Sequence, residues 1–237
     1  MSTALVTGAA QGFGFALTAA LTDRRTTTVV DARDGGRLHA AVATLAHPDR
    51  VVAVPGDVTD PAHRGALLTA VRAAGGLDLL VHNASELGPS PLPSLAELPL
   101  HAFEAVYETN VIAPFALTRL LLPLLRSAAA ATVVTISSDA ATEAYPGWGG
   151  YGSSKAALDQ LAAVLGAEEP ALRVYAFDPG DMRTAMHQRA FPGEDISDRP
   201  EPATVVPALL RLLDERPASG RYRAADLGSP IPREAGR

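Results

Sequence analysis

Short apolar runs rich in β-branched residues recur along the chain, and longer segments with helical spacing of apolar positions separate them. Seven runs are predicted strands: 3–7, 26–31, 51–54, 77–82, 131–137, 172–177 and, as the weakest, 221–227. The predicted helices are 12–22, 36–46, 61–73, 100–127, 150–166 and 202–214. This alternation predicts an α/β fold, a doubly wound parallel sheet of about seven strands with helices on both faces. The nearly continuous hydrophobicity of the runs agrees, because such strands are covered on both sides.

Two irregular segments follow predicted strands. Residues 87–99 are rich in proline, and residues 178–202 form the longest segment without a regular pattern. Open parallel sheets bind ligands beyond the carboxyl ends of their strands. We therefore expect a ligand site there, with a short substrate loop at about 181–200.

Composition narrows the possible functions. The 237 residues contain no internal repeat or long linker, which predicts a single domain over 1–237. A net charge of −6 without any run of Lys or Arg argues against nucleic acid as a partner. Cysteine is absent and the six histidines lack metal-ligand spacing, so we predict no metal.

The sequence also bears on location. The first ten residues lack the basic and apolar regions of a signal peptide. The most apolar segment, 117–131, is interrupted by Arg119, Pro123 and Arg126 and is too short to cross a bilayer. We therefore predict no membrane association and a cytoplasmic location.

A glycine-rich loop, TGAAQGFG over residues 7–14, joins the first predicted strand to the first predicted helix. In a dinucleotide site, Gly8 would permit a tight turn, Gly12 would let the backbone approach a pyrophosphate, and Gly14 would let the helix pack closely. The helix N-terminus would then face the phosphates. The alternative is a glycine-rich turn without a ligand, but its position after the first strand favours the dinucleotide.

A tyrosine and a lysine, Tyr151 and Lys155, lie four residues apart and hence on one face of a predicted helix. Ser138 precedes the tyrosine by thirteen residues and ends a predicted strand. A strand end and a helix start can bring the two hydroxyls to one edge of the sheet. Alone, each residue is more simply explained as a packing tyrosine, a solvated lysine or a capping serine. Their combination with the glycine loop disfavours that explanation.

With TGxxxGxG at its start and YxxxK in its second half, the chain resembles the short-chain dehydrogenases/reductases over nearly its whole length. Further motifs match in the family's order: Asp57-Val58, Asn83-Ala84, Asn110, Ser138, and the segment Pro179-Gly180 with Thr184. His82 and Ser85 depart from the usual NNAG, and the usual terminal Asp-Gly-Gly is missing. The resemblance implies a Rossmann-type, NAD(P)-binding fold and an oxidoreductase of small carbonyl and alcohol compounds.

The family's site residues carry over by position. The implied catalytic residues are Asn110, Ser138, Tyr151 and Lys155. The implied cofactor-binding residues are Gly8, Gln11, Gly12, Phe13, Gly14, Arg33, Asp57, Val58, Asn83, Ala84, Tyr151, Lys155, Pro179, Gly180, Met182 and Thr184. Candidate substrate residues are Ser85, Tyr145, Trp148 and Met186. The family also commonly forms homodimers or homotetramers through helices that correspond to 100–127 and 150–166.

In this interpretation Tyr151 is the general acid in reduction and the base in oxidation, Ser138 holds the substrate oxygen, and Lys155 also binds the nicotinamide ribose. A nearby ammonium favours the phenolate, so we expect the pKa of Tyr151 to fall from about 10. Reaching neutrality needs a shift of ~3 units, roughly 4 kcal/mol, for which a buried lysine and an oxidised nicotinamide are required. Asn110 precedes Pro114 by four residues, so its carbonyl loses a helical partner and the helix should kink. We expect a bound water there, linked to Lys155.

NADP(H) is the predicted cofactor, with NAD(H) as the alternative. NAD-specific members place an acid eighteen residues after the last glycine, but that position is Ala32. Arg33 follows, where a guanidinium can bind a 2′-phosphate through two hydrogen bonds. Asp31 lies one residue early and should point away from the ribose, because successive strand side chains face opposite sides.

Two other functions remain open. A cofactor-sensing or scaffold protein could use the same fold, but it would not need Tyr151 as a proton donor. Sugar-nucleotide epimerases and dehydratases also use YxxxK, but they resemble TGxxGxxG proteins with much larger C-terminal regions.

Overall fold

Seven parallel strands form one sheet in the computed structural model, which describes residues 2–228. They are β1 (Thr3–Val6), β2 (Thr27–Ala32), β3 (Val51–Pro55), β4 (Leu79–His82), β5 (Thr132–Ile136), β6 (Arg173–Asp178) and β7 (Gly220–Arg223). The order β3-β2-β1-β4-β5-β6-β7 reverses direction between β1 and β4. Every neighbouring pair is parallel, so the predicted doubly wound sheet is confirmed. The weak last run is shorter than predicted, because a 3-10 helix begins at Ala224.

Helices cover both faces of the sheet. Within residues 2–228 they are α1 (Gly12–Asp23), α2 (Gly35–Ala43), α3 (Pro61–Ala73), α4 (Leu100–Tyr107), α5 (Ala113–Ser127), α6 (Gly149–Glu168), α7 (Ala185–Ala190) and α8 (Pro202–Glu215). Helix α7 lies in a segment predicted to be irregular. It has six residues, too few for an apolar repeat to be visible, and it begins where the Thr184 hydroxyl accepts the His187 N–H.

The core has two layers, one on each face of the sheet. Helices α1, α2 and α8 pack on one face through side chains such as Leu17, Leu38 and Leu209. Helices α3, α5 and α6 pack on the other, where Leu117 and Leu121 are fully buried. Each such leucine contributes roughly 1.5–3 kcal/mol of burial free energy. The strands therefore contribute apolar residues to both layers, as their hydrophobicity predicted.

The predicted helix 100–127 is interrupted by a π turn over Glu108–Ile112, in which the Ala113 N–H bonds to the carbonyl of Glu108. Pro114 follows in the first turn of α5, so the predicted break is found just before the proline. The segment Leu100–Ser127 has 28 residues and contains an 18-residue window with a mean hydropathy of 1.2, which meets the length and composition of a membrane span. The core helices of soluble proteins meet the same test, and α5 packs against the sheet in this structure.

Candidate active site

A pocket of about 380 Å³ lies at the carboxyl edge of the sheet, around the point where the strand order reverses. Such a reversal point is where doubly wound sheets bind their ligands. Most predicted site residues line it: Gly8, Gln11, Gly12, Phe13, Arg33, Asp57, Val58, Asn83, Ala84, Ser85, Ser138, Trp148, Tyr151, Lys155, Pro179, Gly180, Met182, Thr184 and Met186. Gly14, Asn110 and Tyr145 lie outside this lining set.

The glycine loop packs tightly against the loop that follows β4. Gly8 has φ +69°, and a Cβ there would lie 2.8 Å from the Cα of Ala84. The Asn83 side-chain amide donates to the Gly8 carbonyl at 3.0 Å. A Cβ at Gly14 would collide with that same Asn83 side chain. Gly14 therefore makes room mainly for the Asn83 side chain. The sequence had predicted that it would allow close packing of the helix on the strand.

Asp31, at the end of β2, is buried and is engaged by the protein itself. One carboxylate oxygen accepts the Gly8 N–H at 2.7 Å, and the other lies 3.1 Å from Nε2 of His63. The carboxylate thus bonds beneath the glycine loop, and Asp31 is also among the residues that line the pocket. Its direction away from a bound ribose stays a prediction. Arg33 has 65% of its side chain exposed and lies 3.4 Å from the Glu86 carboxylate.

The two predicted catalytic hydroxyls lie together. Ser138 follows β5 and Tyr151 lies in the first turn of α6. The Tyr151 phenol interacts with the hydroxyls of Ser85 and Ser138. The Ser138 hydroxyl also donates to Asp139 at 3.0 Å. The edge of the sheet therefore holds a cluster of hydroxyls that can bind one substrate oxygen.

Lys155 is buried beside the tyrosine. Its Nζ lies 5.4 Å from the Tyr151 ring centroid and donates to the Ile136 carbonyl at 2.8 Å. Burial lowers the pKa of Lys155 to about 8, although the negative charge of Asp159 opposes this shift. The Lys155 side chain can therefore gain or lose a proton near pH 8.

Burial raises the pKa of Tyr151 well above its ordinary value of 10, and the hydroxyl of Ser85 only partly opposes the rise. The charges of Asp178 and Asp139 raise it further. The predicted fall in this pKa is therefore wrong for the protein without cofactor. The sequence showed a lysine at the right spacing, but it did not show that the phenol loses its water.

Asn110 lies in the π turn and is completely buried. Its Oδ1 accepts the Glu86 N–H at 2.7 Å and the Ser85 hydroxyl at 3.1 Å. Its Nδ2 donates to the Glu86 carbonyl and to the Ser154 hydroxyl, both at 2.9 Å. The side chain thus joins the loop after β4 to α6, which orients Ser85 relative to Tyr151.

Two of the candidate substrate residues, Tyr145 and Trp148, form an aromatic wall with Phe191 beside the tyrosine. The Trp148 ring lies 5.7 Å from the Tyr151 ring and 5.8 Å from Phe191. Tyr145 contacts Trp148 from the outside, and its hydroxyl donates to Asp139 at 3.1 Å. Tyr145 therefore supports the wall from outside the set of residues that line the pocket.

Sequence reasoning missed several polar partners of these residues. Glu86 lies between Arg33 and Arg189, 3.4 Å from the first and 3.3 Å from the second. Asp159 follows Lys155 by four residues on α6, a spacing that could have identified it. Arg221, on β7, contacts Asp159 at 3.1 Å, and no local sequence signal indicates this contact.

His82 stands where the family usually has Asn. It is buried and bonds through Nε2 to the Thr118 hydroxyl at 2.8 Å. Burial lowers its pKa to about 3 from 6.5, and the positive charge of Lys155 acts in the same direction. The folded chain therefore holds a neutral imidazole between the sheet and α5.

We expect His82→Asn to remove part of the acid sensitivity of folding. Because the histidine pKa is about 3 when folded and 6.5 when unfolded, the unfolded chain binds the proton first as the pH falls. Stability is therefore lost below pH 6.5, at about 1.4 kcal/mol per pH unit. The free energy of unfolding, measured with urea, should fall between pH 7 and pH 5 by about 2 kcal/mol less in the variant than in the wild type. Parallel losses in the two proteins would contradict the neutral buried histidine.

Comparison with known proteins identifies the family. The chain matches the family model for short chain dehydrogenase over residues 2–195. It belongs to the short-chain dehydrogenases. This short-chain dehydrogenase is 31% identical over 215 residues to benzil reductase ((S)-benzoin forming) of Saccharomyces cerevisiae, which covers 87% of this chain and 79% of the yeast protein.

Solved structures agree with this assignment. A short chain dehydrogenase from Pseudomonas syringae superposes with a TM-score of 0.88 at 31% identity, covering 94% of each chain. One from Shigella flexneri, in complex with NADP, has a TM-score of 0.84 at 30% identity and covers 94% of this chain and 97% of its own. This short-chain dehydrogenase is therefore an NAD(P)-dependent oxidoreductase acting on CH–OH or C=O groups.

Proposed function

We propose that this short-chain dehydrogenase interconverts a small carbonyl compound and its secondary alcohol with NADP(H), using Tyr151 as the general acid and base. The observation that carries the proposal is the grouping of Tyr151, Ser138 and the buried Lys155 at one pocket. A phenol, a hydroxyl and an ammonium in one place can bind a carbonyl oxygen and give it a proton.

The residues present fit a dinucleotide. Helix α1 has no acidic residue in its first turn, so its N-terminus is suited to phosphate. Gly12 has φ +59°, and among the described residues a Cβ there would contact only Thr184. Arg33 is exposed at the pocket and suits a 2′-phosphate, and an NADP complex of a similar enzyme supports that choice. When bound, the nicotinamide supplies or accepts the hydride.

The proton steps fall to this chain's own residues. In reduction, Ser138 and Tyr151 donate hydrogen bonds to the substrate oxygen, and Tyr151 then transfers its proton to the forming alkoxide. The Lys155 ammonium stabilises the resulting phenolate. In oxidation the phenolate takes the alcohol proton. Asn110 keeps Ser85 and α6 in place in both directions of the reaction.

The aromatic wall favours an apolar or aromatic carbonyl substrate. Trp148 and Met186 line the pocket and pack with Leu87 against Tyr151. The name of one relative, benzil reductase, agrees with an aromatic ketone as the substrate. The proposed substrate loop, about 181–200, contains α7 and Phe191 and would close this side of the pocket.

A panel of ketones, diketones, aldehydes, quinones and secondary alcohols, each with both cofactors, tests the proposal. We expect NADPH oxidation, followed at 340 nm, with at least one aryl ketone or diketone. NADPH binding measured by fluorescence, without turnover of any compound, would instead support the cofactor-sensing alternative.

The surface supports the proposed homodimer or homotetramer. Phe115 and Leu120 on α5 and Val164 on α6 are large apolar side chains with 48%, 37% and 42% exposure. Burial of such side chains in a second copy would be favourable. A cytoplasmic location and a single catalytic domain complete the proposal.

A further inference from the structure

One guanidinium, that of Arg221 on β7, contacts three elements behind the catalytic residues. Its Nε lies 3.1 Å from the carboxylate of Asp159 on α6. Its Nη2 donates to the Ser138 carbonyl at 2.9 Å and to the carboxylate of Asp178, at the end of β6, at 2.8 Å. A planar guanidinium can serve three acceptors at fixed angles, which a lysine ammonium at this site cannot reproduce.

Each of these contacts lies next to a residue of the proposed chemistry. The Ser138 carbonyl belongs to the residue whose hydroxyl would hold the substrate oxygen. Asp178 precedes Pro179-Gly180, and its other oxygen accepts the Gly180 N–H at 3.0 Å. Asp159 follows Lys155 by one helical turn and also accepts the Ser137 hydroxyl at 2.7 Å. Arg221 thus acts on the oxygen-binding serine, the cofactor segment and the lysine together.

The charges explain why an arginine is needed. Asp178 has 3% of its side chain exposed and Asp159 has 14%, so each would be costly to keep ionised alone. Burial raises the pKa of Asp159, and the bonds from Ser137 and Arg221 oppose that rise. Arg223 also approaches Asp178, but only to 3.9 Å and with 58% of its side chain exposed. Arg221 is therefore the main counter-charge for both carboxylates among the described residues.

Through Asp159, Arg221 also influences the protonation of Lys155. Lys155 faces Tyr151 and Asp159 on its own helix and the neutral His82 on β4. Of these, the Asp159 carboxylate is the group that favours the protonated amine. If Asp159 became protonated or turned away, the ammonium would lose this support and deprotonate at a lower pH.

We infer that Arg221 is a positioning residue of the active site, which fixes Ser138 and Pro179-Gly180 and keeps Asp159 available as the counter-charge of Lys155. The inference rests on the proposed function for its kinetic consequences. Its structural part, the support of the Pro179-Gly180 segment, does not depend on the substrate.

The test compares Arg221→Met with Arg221→Lys and with Arg223→Met, the matched control on the same strand. We expect Arg221→Met to lower kcat about 10- to 100-fold, since small displacements of reacting groups have effects of this size. We expect partial recovery of kcat in Arg221→Lys, which restores the positive charge but not the planar set of contacts. The Kd of Arg221→Met for NADPH should rise several-fold, while Arg223→Met keeps wild-type values.

A second variant covers the case in which Arg221→Met does not fold. Asp159→Asn retains Arg221 and should move the alkaline limb of the pH profile to lower pH, because Lys155 loses the negative charge that favours its ammonium form. A folded Arg221→Met with wild-type kcat and NADPH affinity would overturn the inference, as would an unshifted limb in Asp159→Asn. If the wild type reduced no carbonyl compound while Arg221→Met still weakened NADPH binding, the proposed function would fail and the support of the cofactor segment would stand.

Discussion

Tyr151→Phe is expected to lower turnover 10²- to 10⁴-fold while leaving the fold and the affinity for cofactor unchanged. Phenylalanine keeps the ring that contacts Trp148 at 5.7 Å, so the aromatic wall remains packed. It removes only the hydroxyl, which in the proposed mechanism carries the proton to the substrate oxygen. Loss of a general acid usually has an effect of this size.

The measurement is kcat on the best substrate of the panel, together with the melting temperature and the Kd for NADPH. Ser153→Ala is the matched control, because Ser153 lies on the same helix, is exposed, and bonds only locally to the Gly150 carbonyl. Normal turnover by a folded Tyr151→Phe protein would show that another group supplies the proton.

Arg33→Ala is expected to reduce the preference for NADPH over NADH about 10- to 100-fold. A charge-assisted hydrogen bond is worth about 1.5–3 kcal/mol, and each 1.4 kcal/mol is a factor of ten. The surface pair of Arg33 with Glu86 is long, at 3.4 Å, and exposed, so little stability is lost when the arginine turns to a phosphate. Asp31 also lines the pocket, but its two carboxylate oxygens are engaged by the Gly8 N–H and by His63.

The ratio of kcat/KM for the two cofactors checks this prediction, and NADH acts as the internal control because it lacks the 2′-phosphate. The value for NADH should stay constant when Arg33 is replaced. A wild type that prefers NADH, or a variant with an unchanged ratio, would show that Arg33 is only a surface charge.

Much of the fold could be predicted because its signals are local. The strands are continuous apolar runs, and Pro114 alone marked the break that proved to be a π turn. Helix α7 was missed because six residues cannot show a repeat. The grouping of Ser138 with Tyr151 followed from one strand end and one helix start.

What the sequence could not show depends on burial and on distant contacts. The pKa of Tyr151 moves opposite to the prediction, because desolvation outweighs a lysine 5.4 Å from the ring. Arg221 meets Asp178 and Asp159 across separations of 43 and 62 residues, and only the strand order brings them together. The four-residue spacing of Asp159 from Lys155 is readable in the sequence, but the contact of Asp159 with Arg221 is not.

The position of Arg221 also has a consequence for folding during synthesis. The glycine loop is synthesised well before β7, yet Arg221 on β7 supports Ser138 at the edge of the same pocket. Strand β7 is one of the two edge strands and, within residues 2–228, pairs only with β6, so the sheet can begin to assemble before it arrives. A nascent chain arrested before residue 220 can therefore form most of the nucleotide-binding half but cannot hold the Ser138 backbone in its final place. Completion of the catalytic edge therefore depends on the arrival of residues 220–223.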